Sequence, residues 1–214
     1  MKHWFKKKKP SGWSWLETLK PPARSSLIKD LEFVALDLEM TGLNSNTDRI
    51  LSIAAVKVIG SEVSLSDMIY IEVNQPYTHP DAAAIHELLP HHGIPDHEAL
   101  EKLAWYCEAR PIVGHFTQLD RAFLKAAFKR VGAKFRNDFC DTAALLPRVD
   151  NHFHPDEHPA KSDWKLENIC KRYNLPNDDM HHATGDAVAT ALLFIHIKRA
   201  LEKRGVKRLK DIVL

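Results

Sequence analysis

Three apolar, strand-prone runs follow one another between residues 31 and 73, and they constrain the fold more than any other feature of the chain. Leu31–Leu38 (LEFVALDL) has the length of a strand. Ile50–Ile59 and Glu62–Val73 are rich in β-branched residues and meet at Gly60-Ser61, so they read as a hairpin beside the first run. The periodicity then changes. Leu100, Leu103, Ala104 and Cys107 recur at helical spacing within Glu98–Arg110. Pro111–His115 is a short apolar strand, and Leu119–Val131 is a helix stopped at Gly132. Asp138–Asp141 reads as a strand, and Trp164–Tyr173 and Asp186–Lys203 as helices, with the polar stretch Asp150–Pro159 as a loop. A meander followed by alternating strands and helices predicts an α/β domain with a mixed sheet flanked by helices.

Charge divides the chain unevenly. The 214 residues carry a formal net charge of +2, which alone names no partner. Residues 1–30 hold eight cations against Glu17 and Asp30, a balance of +6, which leaves −4 for the remainder. This supports two segments: a basic, Trp-containing extension over 1–30 and a folded domain over 31–214. The extension contains Trp4, Trp13, Trp15 and Leu16. Lysines beside aromatics suit a phosphate backbone with stacked bases; the same Trp residues can instead pack on the body. A third use is docking to a polymerase or another protein. Three widely separated cysteines, Cys107, Cys140 and Cys170, exclude a Cys-rich zinc site and a disulfide framework and fit a reducing cytoplasm. No apolar run is long enough to span a membrane, and no apolar segment follows the N-terminal lysines as in a secretory signal.

Four carboxylates stand where such a fold can gather them. Asp37 and Glu39 close the first strand, and alternation sets them on the face that Phe33 and Ala35 share. Two like charges on one face of a core strand repel, and burial sharpens the repulsion. Asp120 opens the helix after Pro111–His115, and Asp186 opens the last long helix. Each alone has an ordinary explanation, because charges are common at strand ends and acids favour the first turn of a helix. Together they are suited to two divalent cations, Mg²⁺ or Mn²⁺, which prefer oxygen ligands and can hold both oxygens of an in-line phosphoryl displacement. His181, five residues before Asp186, is mostly neutral at pH 7 and able to accept a proton. Gly42, just beyond the first strand, permits a tight turn and the close approach of a ligand. His152, His154 and His158 in the polar loop offer a competing zinc-binding reading.

These segments resemble the motifs of a known family. Asp37-Leu38-Glu39-Met40-Thr41-Gly42-Leu43 is similar to the first motif of the DEDDh 3′–5′ exonucleases. This DnaQ-like group includes the proofreading subunit of bacterial DNA polymerase III, ribonuclease T and oligoribonuclease. Val113–Leu124, with Asp120, resembles the second motif, and His181–Thr190, with His181 and Asp186, the third. Cys140-Asp141-Thr142 and Trp164-Lys165-Leu166 resemble the segments between them. The similarity covers roughly residues 31–200 and implies a ribonuclease H-like fold. It implies Asp37, Glu39, Asp120 and Asp186 as ligands of two metal ions, with His181 as general base. By the same analogy Met40, Thr41, Gly42, Leu43, His115 and Phe116 meet the 3′ end of a nucleic acid, Leu43 wedging against the terminal base. The implied activity is release of nucleoside 5′-monophosphates from single-stranded nucleic acid, DNA favoured, in polymerase proofreading or repair. RNA trimming, or nucleic-acid binding with weak catalysis, are the alternatives. Two positions depart from the family pattern: Phe116 stands where Asn is frequent, and His182 where a basic or small residue often sits.

Overall fold

The computed structural model describes residues 12–75, 93–176 and 182–214. Its sheet contains β1 (Glu32–Met40), β2 (Ile50–Ile59), β3 (Glu62–Glu72), β4 (Ile112–Gly114) and β5 (Phe139–Asp141), in the order β3-β2-β1-β4-β5. β1, β2 and β3 pair antiparallel, while β4 and β5 add parallel to β1. The expected meander and mixed sheet are both present. The helices are α1 (Ser14–Thr18), α2 (Asp96–Cys107), α3 (Gln118–Arg130), α4 (Thr142–Leu145), α5 (Leu166–Tyr173) and α6 (Ala183–Lys203).

Strand alternation assigns β1 to two cores. Val34, Leu36 and Leu38 face one side, where α2 and α3 bury Leu100, Leu103, Phe123, Leu124 and Phe128. Phe33 and Ala35 face the other, where α6 lies with Ala183, Ala187, Ala191 and Phe194. The small alanines bring α6 close to the strands, and Phe33 meets Phe194 at 4.8 Å between ring centroids. Truncating Phe33 to Ala would cost about 3–5 kcal/mol. α3 stops as expected: Gly132 has φ +74°, and the N–H of Ala133 reaches back to the Phe128 carbonyl at 2.8 Å.

Residues 12–30 pack on the body. Trp15 and Leu16 are buried in the first core, and Trp15 stacks on Trp105 at 3.8 Å. Ile28 is buried in the second core, and Leu27 pairs with Arg208. As placed, Trp15 and Leu16 are therefore not presented to a partner protein. Trp4 and the lysine run before Pro10 lie outside the described residues.

Two local expectations change. Trp164 does not begin a helix; it ends a 3-10 turn (Lys161–Trp164), and α5 starts at Leu166 because Lys165 is extended. The Trp164 carbonyl instead accepts from His115. The stretch 150–159 is pinned rather than a free polar loop. Phe153 is buried, and the Asp150 carboxylate accepts from Arg172 at 2.8 Å and Tyr173 at 2.7 Å. Among the described residues no helix is long and apolar enough to cross a membrane.

Candidate active site

The acidic site forms at the edge of the sheet where β1, β4 and β5 end. Asp37 and Glu39 project from β1 on the side that α6 covers, and Asp186 lies in the first turn of α6, where the helix dipole favours an anion. Asp37, Glu39 and Asp186 each offer a carboxylate oxygen within 4.8 Å of the others. Between Glu39 and Met40 the pairing with β2 slips: Glu39 faces Ser52 and Met40 faces Ile50. Such a bulge re-aims side chains at a strand end.

Asp120 arrives from the opposite layer. α3 packs with the first core, yet Asp120 is buried at its first turn and reaches over the end of β4. Gly114 makes the passage: a β-carbon there would lie 3.6 Å from Oδ2 of Asp120 and 2.6 Å from Cγ2 of Thr117. Asp120 is not one of the mutually close trio, but its charge bears on Asp37.

The electrostatics are those of an anionic pocket. Burial, followed by the charges of Asp120, Asp186 and Glu39, raises Asp37 well above the usual carboxylate range. Burial and the Asp186 charge push Glu39 up to about 7. Burial, then Asp141 and Glu39, push Asp120 up to about 7. Such a cluster favours an added positive charge, and its all-oxygen donor set suits a hard divalent cation.

Of the expected substrate-side residues, Met40 ends β1 and packs against the first core, Thr41, Gly42 and Leu43 follow it, and His115 and Phe116 follow β4. The Thr41 N–H donates to the Arg49 carbonyl at 2.9 Å, and its hydroxyl accepts the Arg49 N–H at 2.9 Å. The close neighbour of Gly42 is this chain's own Asp48: a β-carbon on Gly42 would lie 2.4 Å from the Asp48 Oδ2. That oxygen caps the Asn44 N–H at 2.8 Å, so Gly42 serves the turn. Leu43 is 80% exposed beyond it, and Phe116 is 53% exposed at φ +57°. His115 has both ring nitrogens engaged, by the Thr142 hydroxyl at 2.8 Å and the Trp164 carbonyl at 2.7 Å. Its ring meets Phe116 edge-on at 4.6 Å and so supports that residue. His181 lies outside the described residues.

Two contributors have no role assigned from the sequence, although Asp141 lies in a segment that resembles the family. Asp141, at the end of β5, accepts from the N–H groups of Phe116, Thr117 and Ala143 at 2.9–3.1 Å, and from the Thr117 hydroxyl. It anchors the turn that launches α3, and hence Asp120. Its signal was an acid directly before a short helix. Tyr70 on β3 stands level with Asp37, across Ala54, and Glu72 level with Glu39, across Ser52. Burial, Glu72 and Glu39 all raise the Tyr70 hydroxyl, and its ring lies 5.4 Å from that of His182. The loop histidines do not gather: His152 faces Asp163 and His154 faces Asp156, each at 3.3 Å. The one group of potential metal ligands among the described residues is the acidic trio.

Comparison with known proteins agrees with this geometry. The family model RNase_T, described as Exonuclease, matches residues 34–194. The DNA polymerase III PolC-type protein of Caldanaerobacter subterraneus subsp. tengcongensis is 26% identical over 183 residues, covering 85% of this chain and 12% of that protein. The PolC-type protein of Clostridium perfringens is 28% identical over 188 residues, covering 85% of this chain and 12% of its own length. The chain thus spans about one eighth of these curated relatives. Among solved structures, E. coli exonuclease I in complex with a dT13 oligonucleotide superposes with a TM-score of 0.68 at 17% identity, covering 82% of this chain and 42% of that one. That likeness establishes the shared ribonuclease H-like fold. With the family model spanning most of the domain and the acidic residues of its motifs converging at one sheet edge, the chain belongs to the DnaQ-like, DEDDh family of 3′–5′ exonucleases.

Proposed function

We propose that this protein removes nucleotides one at a time from the 3′ end of single-stranded nucleic acid, DNA favoured, releasing nucleoside 5′-monophosphates. The observation that carries the reading is the convergence of Asp37, Glu39 and Asp186, with Asp120 brought to the same edge through the gap at Gly114. These four carboxylates would hold two divalent cations, Mg²⁺ or Mn²⁺. Bound there, such ions supply Lewis-acid stabilisation of the charge that develops on the scissile phosphate. The carboxylates fix the site and set its charge. His181 takes the proton of the attacking water as general base. Leu43 and Phe116, both exposed just past the ends of β1 and β4, contact the terminal nucleotides, Leu43 as a wedge and Phe116 by stacking. Met40 and Thr41, which follow Glu39 directly in the chain, would lie beside the terminal nucleotide.

The relatives named DNA polymerase III PolC-type support a role in proofreading or repair; the cysteine usage of the chain fits a cytoplasmic setting. In this reading the lysine-rich start of the chain provides contact with a polymerase or with the strand itself. Matched 5′-labelled DNA and RNA oligomers, incubated with Mg²⁺ or Mn²⁺, test the assignment. The expected product is a ladder shortened from the 3′ end, with free mononucleotides, and faster for DNA. Internal cuts, or no metal-dependent shortening of either strand, would contradict it.

A further inference from the structure

A line of positive charge leads away from the acidic edge. Arg121, Lys125 and Lys129 are exposed and follow one another at every fourth position of α3. They therefore form one stripe, with roughly 6 Å of helix rise per step. Lys134 and Arg136 continue it past the helix end. Together with Gln118 these cations line an open groove of about 830 Å³. The acids in its wall are Glu17 and Asp138, and Asp138 is already paired with Arg24 at 2.9 Å. Among the described residues none of the five groove cations forms an ion pair.

A solvated helix face is the simpler account of such a stripe, but three features argue against it. The chain after residue 30 has a net charge of −4, so a run of five cations is a local concentration. Like charges four apart on a helix repel, which favours a counter-charge outside the protein. The groove also begins at the catalytic edge: Asp120 turns inward under Gly114, while its neighbour Arg121 faces the groove. α3 connects parallel strands β4 and β5, so it runs back along the sheet from the acidic edge to the opposite one.

We propose that this groove is an upstream track for the phosphate backbone of the strand being degraded, gripping nucleotides 5′ of those at the acidic site. The proposal rests on the exonuclease reading above. It predicts that affinity for substrate grows with strand length until the strand spans the groove.

The test uses the full chain and the variant Lys125→Glu/Lys129→Glu/Lys134→Glu. The corresponding Gln triple serves where the Glu triple does not fold. Circular dichroism and thermal melts check folding. Fluorescence anisotropy in EDTA measures binding of labelled oligothymidylate with no dependence on hydrolysis. The variant should bind a long strand about tenfold or more weakly, and the slope of log affinity against log salt should flatten by roughly 2, at about 0.7 per lost phosphate contact. KM for the long strand should rise with kcat retained, and hydrolysis of a trinucleotide should be unchanged. Equal binding of the long strand by both proteins would overturn the track, whatever the activity. Loss of affinity for an acidic peptide in place of the strand would also overturn it, in favour of a protein partner. Absence of hydrolysis by the wild-type chain, with length-dependent binding intact, would contradict the exonuclease reading and leave the track supported.

Discussion

The backbone N–H of Thr117 donates to Oδ2 of Asp141 at 3.0 Å, and the Thr117 hydroxyl donates to the same oxygen at 3.1 Å. Asp141 is not among the four carboxylates proposed to hold metal, yet its own carboxylate holds the turn from which α3 departs. Asp141→Ala would leave three backbone N–H groups without this acceptor. With hydrogen bonds to a charged acceptor lost and buried donors stranded, we expect a loss of about 3 kcal/mol. Chemical denaturation measures this. Activity in the folded fraction should also fall, because Asp120 moves with the turn.

Gly114 sets a steric limit on the same turn. A β-carbon there would lie 2.6 Å from Cγ2 of the fully buried Thr117. Gly114→Ala should destabilise the protein by about 1–3 kcal/mol, the cost of overpacking. Adding Thr117→Ser removes the clashing methyl and keeps the hydroxyl that Asp141 accepts. The double variant should recover most of the lost stability in thermal melts; no recovery would mean the contact does not limit the site.

The acidic cluster predicts a signed pH effect in the metal-free protein. Glu39 and Asp120 are raised to about 7 from 4.5 and 3.8. The folded state therefore holds protons that the unfolded state releases, and stability falls as pH rises from the ordinary carboxylate range to about 7. In EDTA, Asp37→Asn should reduce this fall and melt higher than wild type near pH 8. A divalent cation needs deprotonated ligands, so Mg²⁺ or Mn²⁺ should stabilise wild type near pH 8 and much less near pH 5. Melting curves across pH, with and without metal, check both signs.

Phe116 combines exposure with a left-handed backbone at φ +57°. A bulky residue held there carries about 1–3 kcal/mol of strain, which function commonly accounts for. Phe116→Gly should leave stability unchanged or raise it, while weakening single-strand binding about tenfold through loss of stacking. Anisotropy and melting measured on the same variant separate the two effects.

The elements were largely legible in the sequence because β1 is a clean alternating strand. Val34, Leu36 and Leu38 go to one core and Phe33 and Ala35 to the other, so Asp37 and Glu39 fall together on the face of α6. The close approach of Asp186 to those two acids could be expected from strand-end and helix-start positions. Tyr70 could not. Counting back from the Ile59–Glu62 pair would set Ala54 opposite Asp67, but an irregularity between Ala55 and Lys57 sets Tyr70 there instead. Register slips of this kind arise from side-chain packing across the sheet, which periodicity does not encode. Gly42 reads in the sequence as a glycine for a tight turn and the close approach of a ligand; its close neighbour in the structure is the chain's own Asp48, which periodicity does not name. Trp15 and Leu16 illustrate a different limit: a basic, Trp-bearing segment reads the same whether its tryptophans are buried or offered outward.

Whether the acidic trio holds a divalent cation can be measured without any substrate. Mn²⁺ titrated into wild-type protein and into Asp186→Asn, followed by calorimetry with folding confirmed by circular dichroism, isolates the cage from every later step. Wild type should bind Mn²⁺ saturably and the variant at least about tenfold more weakly, since losing even a group that supports a ligand costs that much. Equal Mn²⁺ affinity in the two folded proteins would contradict a metal site at the trio.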